Sequence, residues 1–249
     1  MTMTAYPVAG KRKSFDICLA FVRSCGGQIG TNLRDGPAFF YGVDESNLEI
    51  WRAVRADGRD WYYCDNSYFD GSRQTTFRIT KNRLQHCGFG RTTGARFADL
   101  GVAIQPWRAA GEHIVVCPQS APFMRNVIGY SGDWLEHTLA ALKNLTQRQI
   151  RVRNWSADKG KLASTLQQDL AGAHALVTWS SAAAITAVLA GVPVVTMGQC
   201  AAERMAGGLT DLESLPMLER TEWAGVLADN EWSLEEMRDG TAWRALNGA

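Results

Sequence analysis

The sequence predicts an α/β protein with a parallel sheet in its C-terminal half. Two patterns and one composition carry that class. Apolar runs of strand length occur at His113–Cys117, Gln149–Arg153, His174–Thr178 and Val192–Thr196. Helical patterns separate them: Asp133–Leu145, with Leu135, Leu139 and Leu142 on one face, then Lys161–Leu170, then the small-residue stretch Ser181–Ala190. Strands alternating with helices are joined by right-handed crossovers and pair in parallel. The 249 residues are 46% apolar, 10% aromatic and 20% charged, enough to build a core in a globular chain.

The first half reads less regularly. Met1–Lys13 is polar and is expected to be a loose arm, followed by an apolar stretch Ile17–Val22 that Cys25-Gly26-Gly27 closes like a turn. Ala38–Gly42 reads as a buried strand. Leu48–Ala56 is a helix with Leu48, Trp51, Val54 and Arg55 at helical spacing, ended by Asp57-Gly58. Trp61–Cys64 and Phe77–Thr80 are strands, Gly88–Gly101 a loop, and Gln105–Gly111 a candidate linker. The expected domains are therefore 1–110 and 111–249, the second ending in helices at Glu219–Leu227 and from Ser233, where Ser233 and Glu236 form a capping box.

Several classes are disfavoured at once. No apolar run approaches the roughly 18 residues of a membrane-spanning helix. Met1–Arg12 lacks the apolar stretch and cleavage site of a secretion signal, so a cytoplasmic location is expected. Six scattered cysteines without a C-x-x-C pair, and four histidines away from ligand spacing, suggest reduced thiols and no metal site. The net charge of +1 hides an asymmetry: residues 1–170 hold 22 Lys+Arg against 15 Asp+Glu, a balance of +7, and residues 171–249 hold 4 against 10, a balance of −6. Such a basic front either steers a polyanion or is a solvated surface. Gly88–Gly94 has the wrong glycine spacing for a dinucleotide loop, and Asn144-Leu145-Thr146 is a chance glycosylation sequon.

The chemistry is expected where strands end. After Thr178 and Trp179, Ser180-Ser181-Ala182 open a helix of small residues. Unpaired first-turn amides and the helix dipole suit a phosphate there, with the serine hydroxyls as further donors. The alternative is a plain N-cap serine. Pro118-Gln119-Ser120 follows the first strand of this half. Arg153 ends the second with Lys159 beyond it, a cationic pair for phosphate or a surface charge.

The run Asp169–Ser181, then Ala187–Val195 with its Gly191-Val192-Pro193-Val194 element, resembles the donor-binding half of GT-B glycosyltransferases. It is most similar to small phage and bacterial members and to capsule and Kdo-type transferases. Cys117–Ser120, Asp133–Leu135 and Ile150–Arg153 resemble the same half, and Glu231–Arg238 with Ala242-Trp243 is similar to the tail of phage-encoded members. The resemblance implies two Rossmann-like β/α domains facing a cleft, the N-terminal one abbreviated. It further implies a nucleotide sugar, UDP-linked in expectation, as co-substrate without a required metal. Pro118, Gln119, Ser120, Arg153, Lys159, Thr178, Ser180, Ser181 and Ala182 would hold that donor.

Asp57–Phe69 and Phe77–Asn82 resemble the acceptor domain of the same small transferases. Glycosyl transfer requires a base for the acceptor hydroxyl and dipoles or cations for the leaving phosphate. Asp65 is the candidate base, although Asp65-Asn66 is also ordinary turn chemistry. Trp61, Tyr62, Asn66, Arg78, Lys81 and Asn82 are candidate acceptor contacts; the charged ones read equally as a solvated strand end. Three acceptor readings stand: a hydroxymethylated pyrimidine in double-stranded phage DNA, held by the basic front and flanked by Trp61 and Tyr62; a surface glycan or lipopolysaccharide core; or, without catalysis, a nucleotide-sugar or nucleic-acid binding module.

Overall fold

The computed structural model describes residues 2–69, 75–154 and 162–248. The chain forms two compact units, Met1–Gln85 with Ala228–Ala249, and His86–Leu227. In chain order the first unit holds β1 (Thr4–Ala5), α1 (Arg12–Ser24), β2 (Gln28–Ile29), β3 (Ala38–Tyr41), α2 (Leu48–Ala56), β4 (Trp61–Asn66) and β5 (Thr76–Lys81). The second holds α3 (Ala95–Asp99), β6 (His113–Cys117), α4 (Trp134–Leu145), β7 (Gln149–Val152), α5 (Leu166–Leu170), β8 (Ala173–Thr178), α6 (Ala183–Leu189), β9 (Val194–Thr196), β10 (Ala206–Gly207) and α7 (Thr221–Asp229). The chain then returns to the first unit as β11 (Glu231–Ser233), α8 (Leu234–Arg238) and α9 (Thr241–Asn247).

The first unit's sheet has the order β11-β5-β4-β3-β1-β2; β2, β1, β3 and β4 are parallel, and β5 and β11 are antiparallel additions. Successive strand residues point to opposite faces, and here both faces are covered. Phe39 stacks on Phe21 of α1 at 4.2 Å between ring centres, while its neighbour Phe40 meets Trp51 of α2 edge-on at 5.2 Å. Trp61 and Tyr62 divide the same way, toward Trp51 and toward Trp243 of α9. Both are buried, so neither can flank a base, contrary to the sequence expectation.

Two further expectations change, and the Ile17–Val22 stretch takes a definite form. The expected loose arm contains β1, the central parallel strand, with Ala5 and Tyr6 fully buried. Ile17–Val22 belongs to α1, whose Ile17, Cys18, Phe21 and Val22 face the sheet. The tail helices expected with the donor half pack in the first unit instead, because β11 pairs with β5 through Glu231↔Arg78, Trp232↔Phe77 and Ser233↔Thr76. The capping box of Ser233 and Glu236 is present.

The second unit's sheet has the order β10-β9-β8-β6-β7, parallel throughout. β6 is buried along its whole length, as parallel strands covered on both faces are. β7 is an edge and largely exposed, which is why Arg151 is tolerated in it. Ile114, Val116, Ala175, Val177 and Val195 form the core with Trp134 and Leu142 of α4. Residues 86–110, expected in the first domain, belong here. Gln105 N bonds Leu189 O at 2.8 Å, Arg108 N bonds Gly191 O at 2.8 Å, and Trp107 Nε1 bonds Leu218 O at 2.8 Å. Gly191 has φ +75°, and a Cβ there would lie 2.0 Å from Pro106 O. The glycine of the Gly191-Val192-Pro193-Val194 element is thus required by its left-handed turn and by the passing chain.

Among the described residues no helix is long and apolar enough to cross a membrane.

Candidate functional site

In an open doubly wound sheet, ligands sit outside the carboxyl ends of the strands where the strand order reverses. In the second unit the chain starts at β6, steps to β7 on one side, and then continues through β8 on the other. The reversal lies between β6 and β8, whose ends are Pro118-Gln119-Ser120 and Trp179-Ser180-Ser181. Gln119 Nε2 donates to Ser180 Oγ across it at 2.9 Å. Beneath them Thr178 Oγ donates to Cys117 O at 2.6 Å and accepts from Ser181 N at 3.1 Å.

These bonds redistribute the expected donors. Thr178 is 0% and Ser180 3% exposed, so both are parts of the wall rather than free hydroxyls. The helix begins at Ala183, two residues later than expected, and is 7 residues long. Ser181 Oγ accepts from Ala183 N at 3.2 Å. The amides of Ser181 and Ala183 are therefore already bonded, and the anion-binding N-terminus expected at Ser180-Ser181 is reduced. Gln119, Ser120 and Ser181 remain partly exposed and Ala182 exposed.

Beside the reversal lies a cavity of about 540 Å³, within the usual range for small-molecule sites. The loop from Pro118 to Pro122 forms one wall. Met124 and Arg125 form another, from a six-residue π-helical segment Phe123–Ile128; Gly132–Leu135 at the start of α4 and Asn154 after β7 complete it. Trp134 in this wall is 4% exposed, and its Nε1 has no hydrogen-bond partner among the described residues. The exposed Arg125 is a cation at the cavity that sequence reading missed; the π-helical segment carrying it has no periodic signature. Arg153 does not line the cavity. Its Nη1 forms an ion pair with Asp169 and donates to Ser164 O at 2.9 Å, and its side chain is only 13% exposed. Lys159 lies outside the described residues.

In the first unit the six acceptor candidates and Asp65 do not converge. At the carboxyl end of β4, Asp65 Oδ2 receives Arg78 Nη2 at 2.6 Å, and Arg78 Nη1 donates to Asn66 O at 2.8 Å. Arg78 is 6% exposed and lies 4.6 Å from the Tyr68 ring centre. Burial opposes its charge, but Asp65 leads the neighbours that hold its pKa above the ordinary guanidinium value. Lys81 and Asn82 sit at the opposite end of β4: Lys81 Nζ pairs with Asp60 at 2.8 Å, and Asn82 bonds both Asp60 and Trp61 N. The antiparallel register, Tyr62↔Lys81 and Asp65↔Arg78, forces this separation. Behind the carboxyl end, the buried Glu231 accepts from Ser67 Oγ, Tyr68 N and Thr76 Oγ, and burial pushes its carboxyl pKa up.

The architecture is that of a mixed α/β chain with two parallel-rich sheets, a two-domain Rossmann-like fold of GT-B type. Among solved structures, the chain superposes on Thermosulfurimonas dismutans KpsC, beta Kdo 2,7 transferase, with a TM-score of 0.56 over 99% of each chain at 13% identity. It also aligns with Thermosulfurimonas dismutans KpsC, beta Kdo 2,4 transferase, at TM-score 0.49 and 11% identity over 90% of each chain. No family model and no curated protein matches the chain. At these identities the likeness concerns the fold.

Proposed function

We propose that the chain is a glycosyltransferase that binds a nucleotide sugar at the β6/β8 reversal of its second unit. The Gln119–Ser180 bridge is the observation that carries this reading, because it joins the two loops that topology selects as a ligand site. The adjoining cavity has room for a nucleotide, and Arg125 in its lining would be a cation for the phosphate. Gln119, Ser120, Ser181 and Ala182 supply further polar contacts, with Thr178 and Ser180 behind them. Arg153 acts through its ion pair with Asp169, shaping the end of β7.

Asp65 is the proposed base. Its side chain is 37% exposed, and the pairing with Arg78 holds it in one orientation at the carboxyl edge of β4. In transfer, Asp65 would take the acceptor hydroxyl proton as the new glycosidic bond forms and the nucleoside diphosphate departs. Asp65→Asn is expected to lower transfer by about 100-fold or more while nucleotide binding is retained.

A surface-glycan acceptor is favoured over DNA. The full-length neighbour is named as a Kdo transferase, which makes acidic sugars the first donors and acceptors to try. The DNA reading loses its flanking aromatics, since Trp61 and Tyr62 are core residues. It retains only the basic residues of the front.

The deciding experiment is calorimetric titration with uridine, cytidine, guanosine and thymidine nucleotides, followed by transfer assays with the matching sugars on glycan and hydroxymethylated duplex acceptors. Binding that weakens in Gln119→Ala and Arg125→Ala supports the reading. Absence of binding by every nucleotide overturns it, and binding without transfer to any acceptor leaves a binding module.

A further inference from the structure

Asp65, Arg78 and Glu231 stand opposite one another on three adjacent strands, β4, β5 and β11. Cross-strand partners share one face of a sheet, so these three charged side chains form a row on it. Arg78, at the centre, donates to Asp65 Oδ2 at 2.6 Å and to Asn66 O at 2.8 Å. Glu231, at the far end, is buried. Its Oε1 accepts from Tyr68 N, and its Oε2 accepts from Ser67 Oγ and, at 3.3 Å, from Thr76 Oγ1.

Those bonds hold the turn that leaves β4. The ladder between β4 and β5 ends at Asn66↔Phe77. Just beyond it, Glu231 ties down Ser67 by its hydroxyl and Tyr68 by its amide. Tyr68, set in this way, lays its ring 4.6 Å from the Arg78 guanidinium. An ion pair in open water is worth little, because solvent screens it and both side chains keep their freedom. Here the Arg78 side chain is only 8% exposed, against 37% for Asp65. Tyr68 belongs to the cover that makes this pair a fixed one, and Glu231 anchors Tyr68.

We propose that Glu231, brought in by the tail strand, is a positioning residue that acts through Tyr68 and Arg78 to hold the Asp65 carboxylate in one orientation. That Asp65 then serves as the base is the clause that rests on the transferase reading. Groups held in place before reaction spare the cost of ordering them, and small displacements cost large factors in rate. The role belongs to the pattern of hydrogen bonds rather than to the charge. A glutamine can keep all three bonds, its amide oxygen on Tyr68 N and its nitrogen toward the two hydroxyls, which turn to accept. An alanine keeps none.

The first measurement needs no substrate. Full-length protein carrying ¹⁵N-arginine is followed by NMR, with the Arg78 signals assigned by their loss in Arg78→Lys. Hindered rotation should keep its two Nη signals apart, since Asp65 and Asn66 hold one nitrogen each. They should stay apart in Glu231→Gln and merge in Glu231→Ala and in Tyr68→Leu, which removes the ring but not the Glu231 anchor. Thermal midpoints identify a variant that has not folded, and Tyr68→Leu decides if Glu231→Ala is one. Separate signals in every folded variant, or merged signals in the wild type, would overturn the proposal. The second measurement is transfer. Glu231→Ala is expected to lower kcat by between about tenfold and a hundredfold with the donor KM unchanged, and Glu231→Gln to leave it nearly as it was. Once Asp65→Asn is present, Glu231→Ala should add nothing, because it acts through the carboxylate already lost. Full additivity in that double variant, or equal losses in Glu231→Gln and Glu231→Ala, would also overturn it. Transfer that Glu231→Ala leaves intact sinks this inference alone. Merged Arg78 signals in a chain that transfers nothing support the anchoring and sink the transferase reading.

Discussion

At Gly191 and Glu231, single side chains settle local structure in opposite ways, one by being absent and one by being buried. A methyl at Gly191 would meet Pro106 O at 2.0 Å in a left-handed turn. Gly191→Ala is expected to destabilise the second unit by at least about 2 kcal/mol, measured by urea unfolding. Glu231 carries the reverse lesson. Burial raises its carboxyl pKa in the folded chain above the unfolded value. The folded state therefore holds this proton more tightly, so the contribution of Glu231 to stability falls as pH rises from the ordinary carboxylate range through its own higher pKa. Thermal midpoints between pH 4 and pH 8 should show that fall in the wild type relative to Glu231→Gln, and parallel profiles would contradict it. Sequence patterning brought out Asp65 and Gln119 because both follow apolar runs. It could not show that Asp65 is paired with Arg78 or Arg153 with Asp169, since these partners lie 13 and 16 residues away and meet only once the strands are registered.

Elements were legible in proportion to their length and periodicity. Leu48–Ala56 and His113–Cys117 have the bounds that spacing alone suggests, and Asp133 caps α4 by accepting from Glu136 N at 3.1 Å. Asp133→Ala should cost about 1 kcal/mol of stability by chemical denaturation. Because Asp133 also lines the cavity, nucleotide affinity is the companion measurement. β1 was invisible because two residues carry no period and Thr4 is polar, although the sheet buries it to 1% exposure. α6 opens later than its serines suggest because Thr178 and Ser181 use their hydroxyls to bond the incoming backbone. The acceptor candidates scattered for a topological reason. An antiparallel hairpin places the end of one strand beside the start of the other, so residues near in sequence pattern sit at opposite edges.

Across the whole molecule, both sheets share one plan, a parallel core in which the first strand lies between the second and third. The strand–helix alternation revealed this plan in the second unit; short strands and a returning tail concealed it in the first. That tail supplies β11, which covers the outer edge of β5, and Trp232, Met237 and Ala242, which join the core. Removing residues 231–249 should leave β5 with an open edge and Phe77 and Ile79 poorly covered. The truncated protein is expected to aggregate and to lose protection against limited proteolysis in residues 2–85, with the His86–Leu227 segment surviving. Equal protection of both segments would contradict that expectation.

The same tail sets an order of events at the ribosome. Residues 86–227 emerge as one uninterrupted stretch and can settle by themselves, whereas the earlier-made first 85 residues stay unfinished until the strand that seals their sheet is synthesised. A chain released after Leu227 would thus carry a complete later unit and an incomplete earlier one, reversing the usual sequence of maturation.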